Sequence, residues 1–416
     1  MSERLFLTEK EGTLGKEGTF IEERQLLHRY EQGRINNQTI ARIATNFYYC
    51  REDEKIFALA DKLRENETIM AVGVVDEKDK VVGIIVRKDF FNTMVRPYAR
   101  DIFRNHPVSE IVQQGRVFDA DINLFSVSEE ISEDMRKPGV TYYLLTNEDG
   151  LFRGIFSTQD MLLYLSQITQ SDIALARKLQ SRIVRERHFV VGRSFEFVAS
   201  SRTAKGVGGD YYEIRQFQEN LWMAALCDVS GKGVAASIIT AIIWGMMSMF
   251  SFTKGCLAEF VRSLNEYIVQ TFESEKFVTG LFIEYDESVG ELSVCDMGHS
   301  HFFLFRDGKL MRLNTNQQNL PIGVAPDIEA KVDTFRPRRG DTLFMITDGL
   351  TEQTDMSGES YSLERIARVL RSNASEPVEI LADRLTSDFN SFRGKRSLND
   401  DVTFALMRFE PQEVRL

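Results

Sequence analysis

Cysteine is scarce in this 416-residue sequence, and the cysteines present do not form a short pairing motif. The four are scattered along the chain, at Cys50, Cys227, Cys256 and Cys295. This distribution is typical of a protein from a reducing cytosol rather than of a disulfide framework. The first residues, Met1 to Arg4, are not followed by an apolar signal core. We therefore expect a cytoplasmic protein.

An excess of positive charge is also missing. The chain has 51 lysines and arginines against 62 aspartates and glutamates, which gives a net charge of −11. This balance argues against a general nucleic-acid-binding role. Hydrophobic residues make up 43% of the chain and charged residues 27%, as in an ordinary globular protein. The length exceeds that of one typical domain, so two or three domains are expected.

Charge is absent from the 21 residues between Gly233 and Thr253, a stretch that has the length of a membrane span. The stretch directly follows a turn at Asp228, a candidate functional residue, and it contains polar residues such as Ser237 and Thr240. We therefore expect a helix buried against a sheet and no membrane span.

Four aspartates lie beside strand-like runs, each next to a glycine or close to another acidic residue. They are Asp210 after Gly208-Gly209, Asp228 before Ser230-Gly231, Asp348 before Gly349, and Asp400 before Asp401. Carboxylates at one end of a sheet repel one another, by about 4 kcal/mol at about 4 Å and an effective dielectric of about 20. Acidic ligands without histidine or cysteine favour Mg²⁺ or Mn²⁺ over zinc. Two such ions can activate a bridging water for attack on a phosphoryl group.

The runs beside these aspartates have the length and composition of strands. Leu221–Cys227 ends at Asp228, Thr342–Thr347 ends at Asp348, and Val402–Met407 begins just after Asp400 and Asp401. The aspartates can meet if the third strand runs antiparallel to the others. Hairpin turns are predicted at Asp307-Gly308 and at Glu287–Gly290.

Six motifs in order resemble those of the bacterial metal-dependent protein phosphatases. The closest resemblance is to the branch with the sporulation stage II E phosphatase and the stress-response sigma-factor regulators. The motifs are Val207–Tyr212, Asp228–Gly233, Met297–Ser300, Leu320–Gly323, Thr347–Glu352 and Asp400–Thr403. The resemblance covers residues 192–416 and implies an α/β fold there, an αββα sandwich of antiparallel sheets.

The resemblance implies a role for each aspartate. Asp228 would bridge two Mn²⁺ or Mg²⁺ ions, with the Val229 carbonyl on one of them. Asp348 and Asp400 would complete the other ion, and Asp210 would bind metal directly or through water.

Other positions depart from the pattern of the eukaryotic relatives. Ser230 stands where those relatives carry a histidine, so that histidine is not available here as the leaving-group acid. Lys205 and Lys232 are the candidates for binding phosphate. For His299 a structural role in its turn and a catalytic role both stay open.

An internal repeat precedes this region. Val74–Asp89 recurs as Leu144–Asp160, with Gly83 and Gly154 separated by 71 residues. Each copy reads as strand, acidic turn, strand and helix, which indicates two copies of one small unit that pack together.

The repeated units resemble a pair of cystathionine-beta-synthase-type (CBS) modules at residues 47–165, an α+β pair that senses adenine nucleotides. In the second unit, Ser157 and Asp160 match the residues that bind the ribose. In the first, Val86 replaces the hydroxyl and Asp89 is retained, so one nucleotide site is expected. A ligand-free packing or dimerisation module is the alternative. Residues 1–46 form an unassigned N-terminal extension.

Between the two regions, residues 166–191 are expected to form an amphipathic linker helix. Neither glycine nor proline occurs from Ser157 to Val191, and Leu175, Leu179 and Ile183 recur at four-residue steps. The apolar stripe can pack on its own phosphatase domain or pair with a second chain. The family resemblance favours a homodimer.

Together these patterns predict a cytoplasmic signalling phosphatase that acts on phosphoserine or phosphothreonine in a protein. The resemblance implies an anti-sigma-factor antagonist as the protein substrate and the CBS pair as the sensor. Two alternatives stay open: a non-catalytic partner-binding switch with the same fold, and a small-molecule phosphohydrolase.

Overall fold

The computed structural model describes residues 26–32, 38–313, 315 and 319–410. The chain divides into two compact units, Met1–Thr169 and Gln170–Leu416. Much of the predicted N-terminal extension, residues 1–46, lies outside the described residues. Among the helices of the described residues, none is long and apolar enough to cross a membrane.

The first unit contains two small mixed sheets, each flanked by short helices. Its strands are β1 (His28–Arg29), β2 (Tyr48–Arg51), β3 (Ala71–Val75), β4 (Val81–Val86), β5 (Val117–Asp119), β6 (Tyr142–Thr146) and β7 (Phe152–Ser157). Its helices are α1 (Ile56–Glu65), α2 (Arg87–Met94), α3 (Ala99–Phe103), α4 (Leu124–Glu130) and α5 (Ser132–Arg136), with 3₁₀ turns at Ile40–Ile43 and Val108–Glu110. The strand orders are β1-β2-β3-β4 and β5-β6-β7.

The predicted repeat is visible in the register of two hairpins. Val74 pairs with Gly83 in β3–β4, and Leu145 pairs with Gly154 in β6–β7, each just before a shift in register. Equivalent residues are therefore 71 apart on both strands, and Val74 corresponds to Leu145, not to Leu144 as the sequence comparison placed it. Residues of both hairpins share one buried cluster, so the two copies pack together.

A long helix, α6 (Thr158–Ile183), contains the boundary between the two units. It ends eight residues before the expected end of the linker helix, because Arg187–Val191 pairs as a strand with the chain that follows. Leu175 and Leu179 are exposed, with 57% and 54% of their surface accessible. Ile183 instead packs against the core of the second unit.

The second unit is built from two antiparallel sheets. Its strands are β8 (Arg187–Val191), β9 (Phe195–Arg202), β10 (Tyr211–Gln218), β11 (Leu221–Val229), β12 (Val278–Asp286), β13 (Glu291–Met297), β14 (Phe302–Arg306), β15 (Lys309–Arg312), β16 (Asp333–Phe335), β17 (Thr342–Ile346) and β18 (Val402–Phe409). Its helices are α7 (Val234–Met249), α8 (Leu257–Phe272), α9 (Asp348–Glu352), α10 (Leu363–Ser372) and α11 (Val378–Arg393). The sheets have the orders β10-β11-β12-β13-β16 and β15-β14-β17-β18-β9-β8.

Alternation along the strands places each sheet between two apolar layers. On β11, Leu226 faces the other sheet, and its neighbour Cys227 faces α7 and α8. On β17, Met345 faces the other sheet, and Phe344 faces α10 and α11. The result is an αββα sandwich, which confirms the predicted α/β fold class.

Local sequence explains the turns that connect these strands. Asp307 and Gly308 both have positive φ, at 48° and 71°, and they close the β14–β15 hairpin where it was predicted. Glu287–Gly290 connects β12 with β13, also as predicted. The uncharged stretch after Asp228 forms α7, whose Ile239 and Ile243 are fully buried against β11 and β12.

Candidate active site

Three of the predicted aspartates line one cavity at the end of the sandwich. Asp228 lies near the end of β11, Asp348 begins α9 directly after β17, and Asp400 precedes β18. Strands β17 and β18 are antiparallel, so the end of one lies beside the start of the other. The cavity has a volume of about 370 Å³, and it is also lined by Val229, Ser230, Gly231, Lys232, Phe277, Thr279, Gly298, His299, His301 and Asp401.

The fourth aspartate, Asp210, lies behind this cavity and is only 3% exposed. Its carboxylate accepts a hydrogen bond of 2.8 Å from the Thr347 hydroxyl. The preceding Gly209 packs so close to β11 that a Cβ there would lie 2.9 Å from the Val229 carbonyl oxygen. Glycine is therefore required where the loop before Asp210 crosses the end of β11.

Each of these carboxylates makes the ionisation of its neighbours less favourable. Burial is the main cause that raises the pKa of Asp228 to about 7, and the carboxylates of Asp348 and Asp400 contribute next. Burial, followed by the charge of Asp228, raises the pKa of Asp210 well above its usual value. A cation in the cavity would relieve both effects.

A fifth aspartate, Asp401, holds the neighbouring loop and was not assigned a role from the sequence. Its carboxylate accepts hydrogen bonds from the backbone N–H groups of Ala204, at 2.8 Å, and Gly209, at 2.7 Å. A Cβ at Gly208 would collide with this carboxylate, and one at Gly349 would collide with the Asp401 backbone. Asp401 therefore fixes the loop that carries Asp210.

Gln180 of α6 holds the same loop from the other side, and it too was missed. Gln180 is 7% exposed; its side-chain N–H donates to the Gly208 carbonyl at 2.7 Å, and its side-chain oxygen accepts from the Gly208 N–H at 2.9 Å. The same amide approaches the Thr240 hydroxyl of α7 at 3.3 Å. The loop before Asp210 is thus clamped between Gln180 and Asp401.

Of the two lysines considered for phosphate binding, only Lys232 lines the cavity. Its ammonium group forms an ion pair with Asp400 at 2.7 Å and donates to the Asn399 carbonyl at 3.1 Å. Lys205 is exposed and is not part of the cavity wall. Lys232 is therefore the better placed of the two.

Ser230 and His299 make structural contacts in this arrangement. The Ser230 hydroxyl accepts from the Phe277 N–H at 2.9 Å, which extends the pairing of β11 and β12. Burial lowers the pKa of His299 to about 4, so its imidazole is neutral. The ring donates through Nε2 to the Ile346 carbonyl at 2.8 Å and thereby ties the turn after β13 to β17. These contacts favour the structural interpretation of His299.

The donor chemistry of the cavity fits a hard divalent cation, because carboxylate oxygens and a backbone carbonyl are available together. In the described part of the chain, however, no three acidic, histidine or cysteine side chains already converge on one point. Asp400 is held by Lys232, and Asp210 is held by Thr347. The ion pair with Lys232 would compete with a cation for the Asp400 carboxylate.

In the first unit, Ser157 and Asp160 form a compact pair at the start of α6. The Ser157 hydroxyl donates to the Asp160 carboxylate at 2.6 Å, and the Asp160 N–H donates to Ser157 Oγ at 3.2 Å. This is the geometry of a helix cap. The equivalent positions Val86 and Asp89 line a recess of only about 20 Å³.

Comparison with known proteins gives two family matches. Residues 218–410 match the family described as stage II sporulation protein E (SpoIIE), and residues 40–96 match the CBS domain. The SpoIIE match agrees with the resemblance of the second region, and the CBS match covers the first copy of the repeat.

Two curated proteins of Bacillus subtilis (strain 168) are similar to this chain. The phosphoserine phosphatase RsbU is 24% identical over 249 residues, which is 59% of this chain and 72% of RsbU. The phosphoserine phosphatase RsbP is 20% identical over 244 residues, which is 58% of either protein.

Solved structures with a similar fold include the SiaA-PP2C domain of Pseudomonas aeruginosa. It is 17% identical, covers 59% of this chain and 99% of its own, and has a TM-score of 0.49. The catalytic domain of the serine/threonine phosphatase PstP, solved with two manganese ions, is 18% identical, covers 52% and 99%, and has a TM-score of 0.40.

Proposed function

We propose that this chain, which carries a SpoIIE-type PP2C phosphatase domain and an N-terminal CBS domain, is a metal-dependent protein phosphatase that acts on phosphoserine or phosphothreonine. The observation that carries the proposal is the cavity that gathers Asp228, Asp348 and Asp400, with Asp210 directly behind it. RsbU and RsbP, both named phosphoserine phosphatases, favour phosphoserine. The substrate is a phosphorylated bacterial signalling protein of the anti-sigma-factor antagonist class.

Each residue of the cavity has a task in this proposal. Asp228, the Val229 carbonyl, Asp348 and Asp400 would hold two divalent ions, with Asp210 as a further ligand, direct or through water. When bound, such ions supply Lewis-acid activation of water and of the phosphoryl group. Lys232 forms an ion pair with Asp400 in the structure. If Asp400 served as a ligand of a cation, the Lys232 ammonium would be available to pair with the substrate phosphate.

The first prediction tests the reaction class. The full chain should release phosphate from a phosphoserine peptide with Mn²⁺, lose this activity in EDTA, and recover it when Mn²⁺ is added back. Phosphate release by malachite-green assay is the measurement, with ATP and a sugar phosphate as comparison substrates. Hydrolysis of the small molecules in preference to the peptide would favour a small-molecule phosphohydrolase. A folded protein without turnover of any of these substrates would favour a partner-binding switch.

The second prediction concerns sensing by the first unit. We propose that an adenine nucleotide binds beside Ser157 and Asp160 and alters phosphatase output. A coupling of about 1–3 kcal/mol, or about 5- to 150-fold in affinity, is typical of such regulation. Asp160→Ala should remove most of the binding heat in calorimetry with AMP, ATP or a cyclic dinucleotide, whereas the matched Asp89→Ala variant should keep it. Absence of heat from all three at millimolar concentration would leave the repeats as a packing module.

The third prediction concerns assembly through α6. Because Leu175 and Leu179 are exposed on this helix, we propose that they pair with a second copy of the chain. The double variant Leu175→Glu, Leu179→Glu would place charges in that seam and should sediment as a monomer with altered basal activity. Ala174→Glu with Ser181→Glu adds the same charge at other exposed positions of α6 and should leave a dimer. A wild-type chain that is monomeric at tens of micromolar rules the pairing out.

A further inference from the structure

A second cavity adjoins the candidate active site. It has a volume of about 350 Å³, and its walls are His301, Phe303, Leu310, Arg312, Leu363, Glu364 and Ala367. His301 lines both this cavity and the cavity of the aspartates. The two spaces therefore lie next to each other, with His301 in the wall of both.

The second cavity is formed where the β14–β15 hairpin meets the start of α10. Phe303 of β14 is only 4% exposed and belongs to the core, so it forms a fixed apolar floor. Leu363 and Ala367 lie four residues apart and therefore on the same face of α10. The hydroxyl of Ser362 caps this helix by accepting from the Arg365 N–H at 3.3 Å. The walls thus come from ordered secondary structure.

The lining is mostly apolar, in contrast to the acidic cavity beside it. Leu363 keeps 39% of its surface accessible at the rim, so apolar surface remains available there. An exposed apolar recess of this kind suits a leucine or phenylalanine side chain better than a second phosphate.

Charge around this cavity is mixed, because Arg312 and Glu364 both line it. Arg312 is exposed, and its Nε donates to the Ser300 carbonyl at 3.0 Å. The feature that distinguishes this cavity from the acidic cavity beside it is therefore its apolar floor.

We infer that the second cavity is a specificity subsite that binds an apolar side chain of the phosphoprotein substrate, close in sequence to the phosphoserine. This inference rests on the proposed phosphatase function. Burial of a leucine-sized side chain there gives about 10- to 100-fold tighter binding.

The test uses phosphoserine peptides in which one leucine is moved through an otherwise alanine sequence. Affinity is measured by fluorescence anisotropy with the full chain and Mn²⁺, and the phosphoserine is replaced by its non-hydrolysable phosphonate analogue so that turnover does not interfere. At one or two leucine positions, binding should be at least about tenfold tighter than for the all-alanine peptide. This gain should disappear in Ala367→Phe, which fills the cavity, and decrease in Leu363→Ala, which removes part of its wall.

The matched control is Ala374→Phe, the same substitution at an exposed position just after α10 and away from the cavity. It should retain the leucine preference. Equal binding of all peptides, or a preference that survives in Ala367→Phe, overturns the inference. Loss of self-association in Ala367→Phe without any leucine preference also overturns it, because the cavity would then serve a second copy of the chain.

Hydrolysis of p-nitrophenyl phosphate with Mn²⁺ separates this inference from the proposed function. That small substrate does not reach the second cavity, so Ala367→Phe should hydrolyse it at the wild-type rate. Failure of the wild type to hydrolyse it would contradict the phosphatase proposal. The existence of the subsite is tested by the peptide affinities alone.

Discussion

Replacing Asp228 with asparagine is expected to lower Mn²⁺-dependent phosphate release by at least about 1,000-fold while the protein stays folded. Asp228 lies in the cavity with Asp348 and Asp400 and also raises the pKa of Asp210 behind it. Loss of a ligand that bridges two ions weakens both ions at once. This loss should exceed the 10- to 100-fold effect that is typical of residues supporting a metal site from behind, which we expect for Asp210→Asn.

The stability of the metal-free protein provides a second measure of the same change. Burial and neighbouring carboxylates raise the pKa of Asp228 to about 7. A carboxyl with a raised pKa in the folded state destabilises the fold once it ionises, and the effect is absent at a pH below its unfolded value of about 4. Metal-free Asp228→Asn should therefore melt at a higher temperature than the wild type at pH 8, with the difference shrinking toward pH 4.

Added Mn²⁺ should reverse this order. An ion that binds only the folded wild type contributes about 2.7 kcal/mol at 100 times its dissociation constant, whereas Asp228→Asn should gain much less. Asp327→Asn, at an exposed carboxylate, is the control and should behave as the wild type in every measurement. Wild-type activity in well-folded Asp228→Asn would remove the assignment of Asp228 as the bridging ligand.

The sequence predicted the positions of the cavity aspartates because local patterns determine them. Each of the three lies where an apolar run meets a turn. The position of such a boundary depends mainly on the residues next to it in the sequence. The antiparallel arrangement of β17 and β18 then brings Asp348 and Asp400 together, as the runs on either side implied. The hairpin at Asp307-Gly308 followed from the same kind of local signal.

The residues that hold these aspartates could not be predicted in the same way, because their partners are distant in sequence. Asp401 bonds to Gly209 across 192 residues, and Gln180 bonds to Gly208 across 28. Neither contact leaves a periodic or motif-like signal. The end of α6 was also missed. Arg187–Val191 lacks glycine and proline, and only its pairing with β9 makes it a strand.

Asp401 and its neighbour Asp400 allow structural support of the site to be separated from its chemistry, because only Asp400 is proposed as a metal ligand. Asp401 is 7% exposed and accepts two backbone hydrogen bonds from the loop before Asp210. In Asp401→Ala both N–H groups lose their partner in a buried place, at about 1–3 kcal/mol each. We expect the melting temperature of the second unit to fall by about 5–15 °C, with activity falling as Asp210 loses its position.

Asp400→Asn should show the opposite pattern. The Asp400 side chain is 33% exposed, and Lys232 and the Asp401 N–H are its partners. Asparagine keeps an oxygen for that N–H and loses only the ion pair, so the melting temperature should change by no more than a few degrees. Phosphate release should still fall steeply, because an amide is a poor ligand for a divalent ion. Calorimetric unfolding and Mn²⁺-dependent turnover of both variants provide the comparison. If Asp401→Ala melts at the same temperature as the wild type, Gln180 alone holds the loop before Asp210 and Asp401 is not part of the clamp.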